Sequence, residues 1–174
     1  MKAETLQDLF ERDLEFAYDG EQRLAEALPK MAEASSSAEL KVALEHHLEE
    51  TRMHVARLEQ IFANLNRASA TETNHVIHSV IGEGEKLIKH IDRSALLDAA
   101  LIACGTQVEH YEIALYGALS SFARVLGFGE AAELLAKTLE EEKTADHVLA
   151  RIAETSVNHE ALRVTTVNHE FNFI

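Results

Sequence analysis

The chain has 174 residues, 47% of them hydrophobic, with a single Pro and only 7 Gly. Such a length carries one core, and so few turn formers favour long helices over sheets with their many tight connections. Thirty Asp and Glu against 16 Lys and Arg give a formal charge of −14, which repels phosphate backbones and anionic membrane surfaces, so nucleic acid is excluded and cations are favoured as partners.

The lone Cys104 cannot close an intrachain disulfide, and no apolar run reaches the roughly 18 residues of a membrane span. The first residues mix acids with apolar side chains and lack a signal-peptide core. A cytoplasmic protein with no membrane partner is expected.

Apolar residues at steps of three and four (Leu6, Leu9, Phe10, Leu14, Ala17, Leu24, Leu28) predict helix α1 over 5–28, with Thr5 and Asp8 as a capping box. Pro29 is expected to kink or break it near Leu28, because proline lacks the N–H of the helical ladder. Ser35-Ser36-Ser37 reads as a loop, and Ser37 caps α2, which runs to about Leu65 with Leu40, Leu44, Leu48, Val55, Leu58, Ile61 and Phe62 inward.

After a polar stretch, Val76, Ile77, Val80, Ile81, Leu87, Ile88 and Ile91 predict a shorter crossover helix, α3, weakened by Gly82 and Gly84. Helix α4 spans about 94–125 and is closed by Gly127 and Gly129; α5 spans about 130–155. Four long helices with an extended connection make an all-α four-helix bundle over residues 1–160. At the end of the bundle Val157-Asn158-His159-Glu160 recurs as Val167-Asn168-His169-Glu170 in the C-terminal tail, 161–174; a polar tail is the plainest reading, a docking arm or a metal clamp the alternatives.

Several acids fall on faces that should be apolar. In α2, His47, Glu50 and His54 share one stripe with Leu40, Leu44 and Leu58. Helix α4 places Glu109 and Glu112 on one face with Gly105 and Tyr116; α5 puts Glu142 on its apolar stripe, Asp146 one turn on and Glu141 at the margin. In α1, Asp13 and Glu21 border the seam. A single inward Glu is ordinarily a boundary residue that reaches water, but here the same coincidence occurs on four helices. Ionised carboxylates buried without a cation cost several kcal/mol each, and a divalent metal pair resolves the conflict. Carboxylates and imidazoles without thiolates suit iron or manganese over structural zinc. His46, His75, His78, His90, His110 and His147 share no stripe and are expected in solvent, Tyr18, Tyr111 and Tyr116 at the core edge, and Cys104 as a small buried hydrophobe.

Five stretches carry a family resemblance: Tyr18-Asp19-Gly20-Glu21-Gln22-Arg23-Leu24 with Ala27-Leu28-Pro29-Lys30-Met31, His47-Leu48-Glu49-Glu50-Thr51, Asp98-Ala99-Ala100-Leu101-Ile102-Ala103, Val108-Glu109-His110-Tyr111-Glu112-Ile113-Ala114, and Leu139-Glu140-Glu141-Glu142-Lys143. Over about residues 4–160 the chain resembles the YciF/YciE-type bacterial stress proteins, a ferritin-like group also described as DUF892, and within it the YciF-type members. That resemblance implies a rubrerythrin-like di-metal bundle, usually dimeric, associated with stress responses.

Carried over, the ferritin-like ligand pattern falls on Glu21, Glu50, Glu109 or Glu112, and Glu142. The usual Glu-x-x-His of the second helix is not literal, since residue 53 is Met; the imidazole comes from His54 or His47. Helix α5 has no inward His, which leaves Asp146 or Glu141 as the further ligand. The expected function is a stress protein holding two metal ions per chain, iron first and manganese second, that oxidises Fe(II) with peroxide or oxygen. A dimeric partner-binding protein with a structural metal site, and a manganese-catalase-like disproportionation of peroxide, are the alternatives.

Overall fold

The computed structural model describes residues 3–163, which form helices and no strand. Helix α1 spans Leu6–Ala34, α2 Ala38–Asn64, α3 His75–His90, α4 Ala95–Val125 and α5 Gly129–Ile152. A π-helical turn, Ala153–Val157, follows α5, and helical backbone continues over 158–163. None of these helices is long and apolar enough to cross a membrane. Helix α1 packs mainly on α2 and α4 on α5, while α2 also touches α5; α3 lies across α1 and α4.

The expected caps are present. Thr5 Oγ1 accepts from the Asp8 N–H at 3.1 Å while Asp8 Oδ2 accepts from the Thr5 N–H at 2.9 Å; Ser37 and Ser94 accept from Leu40 and Leu97 at the starts of α2 and α4. Gly127 ends α4 at φ +78°, the left-handed conformation glycine adopts without Cβ strain. Gly129 is the first residue of α5 and takes no part in that turn.

Two expectations about helix ends are corrected. Helix α1 does not stop at Leu28 but runs through Pro29 to Ala34. Proline removes one ladder donor, yet its ring is exposed, where water can meet the freed carbonyl, and Leu24, Leu28 and Ala32 continue the buried stripe beyond it. Likewise the last helix passes residue 155, because the π-turn rotates Val157 into the core at 1% exposure. The first copy of the repeated tetrapeptide therefore belongs to the helical body; the second, Val167 to Glu170, lies outside the described residues.

A buried carboxylate ties the helix ends together. Asp98, 1% exposed in the first turns of α4, accepts from Ser35 Oγ at 2.9 Å, from the Ser36 N–H at 2.8 Å, from Ser36 Oγ and from the Ser37 N–H at 2.9 Å. Arg93 donates to the Ser35 carbonyl at 2.7 and 3.0 Å. The α1–α2 turn is thus pinned to α4. At the opposite side of the crossover, buried Asn74 caps α3, and its N–H donates to Asp19 Oδ2 at 2.8 Å. Gly20 lets that anchor approach: a Cβ there would stand 3.2 Å from Asn74 Nδ2.

The apolar core forms two clusters. One gathers Phe10, Leu14, Leu58, Ile61, Phe62, Leu119 and Leu135; the other gathers Leu24, Leu28, Leu40, Leu44, Ile77, Ile102, Leu149 and Ile152. In each of α1, α2, α4 and α5 the chain passes from one cluster to the other through buried polar residues.

Replacing Asp98 by Ala strands buried donors of the α1–α2 turn, which costs ~3 kcal/mol. The melting temperature, followed by circular dichroism, is expected to fall by roughly 6–12 °C.

Candidate metal centre

The layer between the clusters is built from one or two residues per long helix. Helix α1 contributes Glu21 (1% exposed), α2 His47 and His54, α4 Glu109 and Glu112, and α5 Glu142 (0%). Helical spacing explains the placement: His47, Thr51, His54 and Leu58 follow at steps of four, three and four and all are buried, as are Glu109, Glu112 and Tyr116 on α4. The stripes that pack the core carry the acids and imidazoles inward.

Two groups of candidate ligands result, Glu21–His54–Glu142 and His47–Glu109–Glu142, each with donor atoms within 4.8 Å of one another. His54 Nδ1 lies 3.2 Å from Glu21 Oε1 and 3.0 Å from Glu142 Oε1. His47 Nε2 lies 3.3 Å from Glu109 Oε1 and 3.9 Å from Glu142 Oε2. Glu142 thus offers one oxygen to each imidazole, whose ring centres are 6.5 Å apart. His47 and His54, between which the sequence left the choice open, fall in different candidate groups.

The other anticipated positions divide. Glu112 is 2% exposed beside these groups, and its Oε2 has no hydrogen-bond partner. Glu50 is half-buried at the edge, with Oε2 3.3 Å from His46 Nδ1 and 3.6 Å from His47 Nδ1. Glu141 stands behind His54, its Oε2 3.0 Å from Nε2. Asp146 falls outside the layer, where it meets His110 at 3.2 Å, and Asp13 pairs with Arg12 at 2.8 Å. One helical turn beyond Glu142, α5 has already carried Asp146 toward the surface. The six histidines expected in solvent are exposed, and Cys104 is buried at 7% exposure.

Sequence reasoning missed the supports of the site. Arg57 holds Glu141 through both terminal guanidinium nitrogens and donates to Thr138 Oγ1 at 3.0 Å; its signal was the step of three from His54. Thr51, 0% exposed with its hydroxyl unpartnered, fills the stripe between the imidazoles. The Tyr116 hydroxyl donates to Glu21 Oε1.

Burial dominates the electrostatics. It raises Glu21 against the opposing pull of His54, pushes Glu112 well above the carboxylate range with help from Glu21, Glu142 and Glu109, and lifts Glu109 to about 8 despite His47. For the imidazoles burial opposes charge, but the carboxylates overrule it: Glu109 first among them brings His47 to about 9, and Glu21 and Glu142 bring His54 to about 11. Burial also works to raise Glu141, yet Arg57 and then His54 hold it below its ordinary value.

Unpartnered atoms concentrate in this layer. Glu21 Oε2, Glu109 Oε2, Glu112 Oε2, both oxygens of Glu142, and Nδ1 of His47 and of His54 are buried without a hydrogen bond. Buried polar atoms left unmatched cost about 1–3 kcal/mol each, and a divalent cation would satisfy this oxygen and nitrogen donor set together.

The bundle and its inner layer define the class: an all-helical protein with buried acidic and imidazole groups that could hold metal ions. The chain belongs to the family described as Domain of unknown function (DUF892), whose family model matches residues 5–162. It is 38% identical over 162 residues to Protein YciF of Escherichia coli (strain K12), covering 92% of this chain and 98% of that protein. The crystal structure of the E. coli stress protein YciF matches with a TM-score of 0.85 at 38% identity, covering 90% of this chain and 99% of that one. YcfI from Rhodopseudomonas palustris matches with a TM-score of 0.82 at 37% identity, covering 84% and 94% of the two chains.

Because Glu109 and His47 bind protons more tightly folded than unfolded, their stabilising contributions are complete at low pH and disappear as pH rises, between the unfolded value of 4.5 and about 8 for Glu109 and between 6.5 and about 9 for His47. Metal-free protein in EDTA is therefore expected to melt at a lower temperature at pH 9 than at pH 6. Glu109→Gln, which removes one of these groups and the main charge acting on the other, should flatten that profile in differential scanning calorimetry.

Proposed function

We propose that the chain is a ferritin-like di-metal protein of stress response, with iron as the first choice of metal and manganese as the second. The observation that carries the reading is Glu142, one oxygen 3.0 Å from the imidazole of His54 and the other 3.9 Å from that of His47. A carboxylate so placed could serve two cations, since it belongs to both candidate ligand groups. Glu21 and His54 complete one set, His47 and Glu109 the other; Glu112 and Glu50 are the reserve ligands at either margin.

Two ferrous ions, when bound, supply one electron each to the O–O bond of peroxide or oxygen. The chain's own part is to hold and tune the donors. Arg57 fixes Glu141, and Glu141 fixes the outer nitrogen of His54, an orientation that leaves Nδ1 facing Glu21 and Glu142. Tyr116 does the same for one oxygen of Glu21. The apolar clusters on both sides keep bulk water from the layer, which strengthens every charge interaction inside it.

Anaerobic Fe(II) titration is expected to saturate at two ions per chain. Glu142→Ala should weaken both sites at least tenfold, whereas His47→Ala and His54→Ala should each remove one. Mixing the loaded protein with peroxide or oxygen should then give fast oxidation by absorbance. Absence of binding at micromolar metal would overturn the reading, and binding without oxidation would leave a structural metal site.

A further inference from the structure

Beside the metal layer lies a cavity of about 420 Å³ bordered by all five helices. Leu28, Leu44, Ile81, Ile88, Val108 and Val148 represent its walls, and among the described residues no Phe, Tyr or Trp lines it. Exposed residues mark the mouth, where Lys30 pairs with Glu85 at 2.9 Å and Arg151 with Glu39 at 2.7 Å. The inner end is formed by His47 and Glu109, 7% and 2% exposed, whose Nδ1 and Oε2 atoms have no hydrogen-bond partner.

An apolar chamber of this size with a few polar groups at one end has the form of a small-molecule site. At roughly 30 Å³ per non-hydrogen atom, the share of one water in the liquid, the volume takes on the order of a dozen atoms. Aliphatic walls without rings favour a flexible chain over a planar ligand. The cations at the mouth already have carboxylate partners, and at the inner end the His47 imidazole already faces Glu50 and Glu109, so an anionic head would find no unmatched cation there. An ammonium head would compete with His46 and His47, which already stand against those carboxylates.

We propose that this cavity binds a medium-chain aliphatic molecule with an uncharged oxygen head, an alcohol or aldehyde, its chain against the walls and its head at His47 and Glu109. The proposal deepens the metal-centre reading by naming the organic substrate class that would reach it, and it rests on that reading only for what the head meets. The walls belong to the chain itself.

Gly84 of α3 provides the test, because it lines the cavity and a Cβ added there meets nothing within 4 Å. Isothermal titration of the EDTA-treated protein with hexan-1-ol, octan-1-ol and decan-1-ol is expected to show one saturable site per chain. Affinity should rise about fourfold per methylene until the cavity is full. Gly84→Leu should weaken decan-1-ol at least tenfold at an unchanged or higher melting temperature, while Gly84→Ala changes it little; Ala43→Leu on α2 is a second filler should Gly84→Leu fail to fold.

No saturable binding to the wild type, or undiminished affinity in a folded filler variant, would overturn the site. Decanoate or decylammonium binding more tightly than decan-1-ol would overturn the head assignment. The same titrations with Mn(II)-loaded protein separate the two readings: metal binding without alcohol binding removes this inference alone, and alcohol binding without metal binding removes the metal centre alone.

Discussion

The structure turns on the burial of ionisable groups in one layer across the bundle. Glu21, Glu109, Glu112 and Glu142 lie almost wholly out of water, faced by His47 and His54. No apolar packing compensates a buried negative charge, so the layer needs protons, imidazolium partners or metal ions. Burial shifts Glu21, Glu109 and Glu112 toward the neutral acid, and the carboxylates shift the imidazoles toward the cation.

Such a layer survives only inside a frame that is stable for other reasons. Two apolar clusters enclose it, one toward Phe10 and Phe62, the other toward Leu40 and Ile152. The frame is closed by polar anchors away from the layer: Asp98 pins the α1–α2 turn to α4, and Asn74 with Asp19 seats α3 against α1. Because these anchors lie outside the layer, the donors can remain unmatched without loosening the helices that carry them. The crossover helix also leaves space, since a Cβ at Gly84 of α3 would meet nothing within 4 Å, on the aliphatic cavity that reaches His47.

Reading the acids along the chain located the layer because helical periodicity converts sequence spacing into direction. Glu142 falls four residues after Thr138 and seven before Leu149, so its inward face needs no tertiary information. The same rule misplaced Asp146. Four residues from Glu142, it looked inward by spacing, but the side chain pairs with His110 and is half-buried. A helix turns by slightly more than a whole circle over four residues, and at the boundary of a stripe that drift decides between core and solvent. At Pro29 local chemistry predicted a kink or a break; the helix does not break there, and Leu28 and Ala32 on either side of it are buried.

The sequence by itself determined the all-helical architecture, the caps of α1, α2 and α4, and most of the acids and imidazoles that face inward, because each depends on residues within one or two turns of the same helix. Which donors share a space was decided only by the packing of α1, α2, α4 and α5. Glu142 offers oxygens to both imidazoles, Arg57 reaches Glu141 across 84 positions, and Tyr116 reaches Glu21 across 95. Those meetings depend on the rotation and height of one helix against another, which side-chain volumes of the whole core settle together.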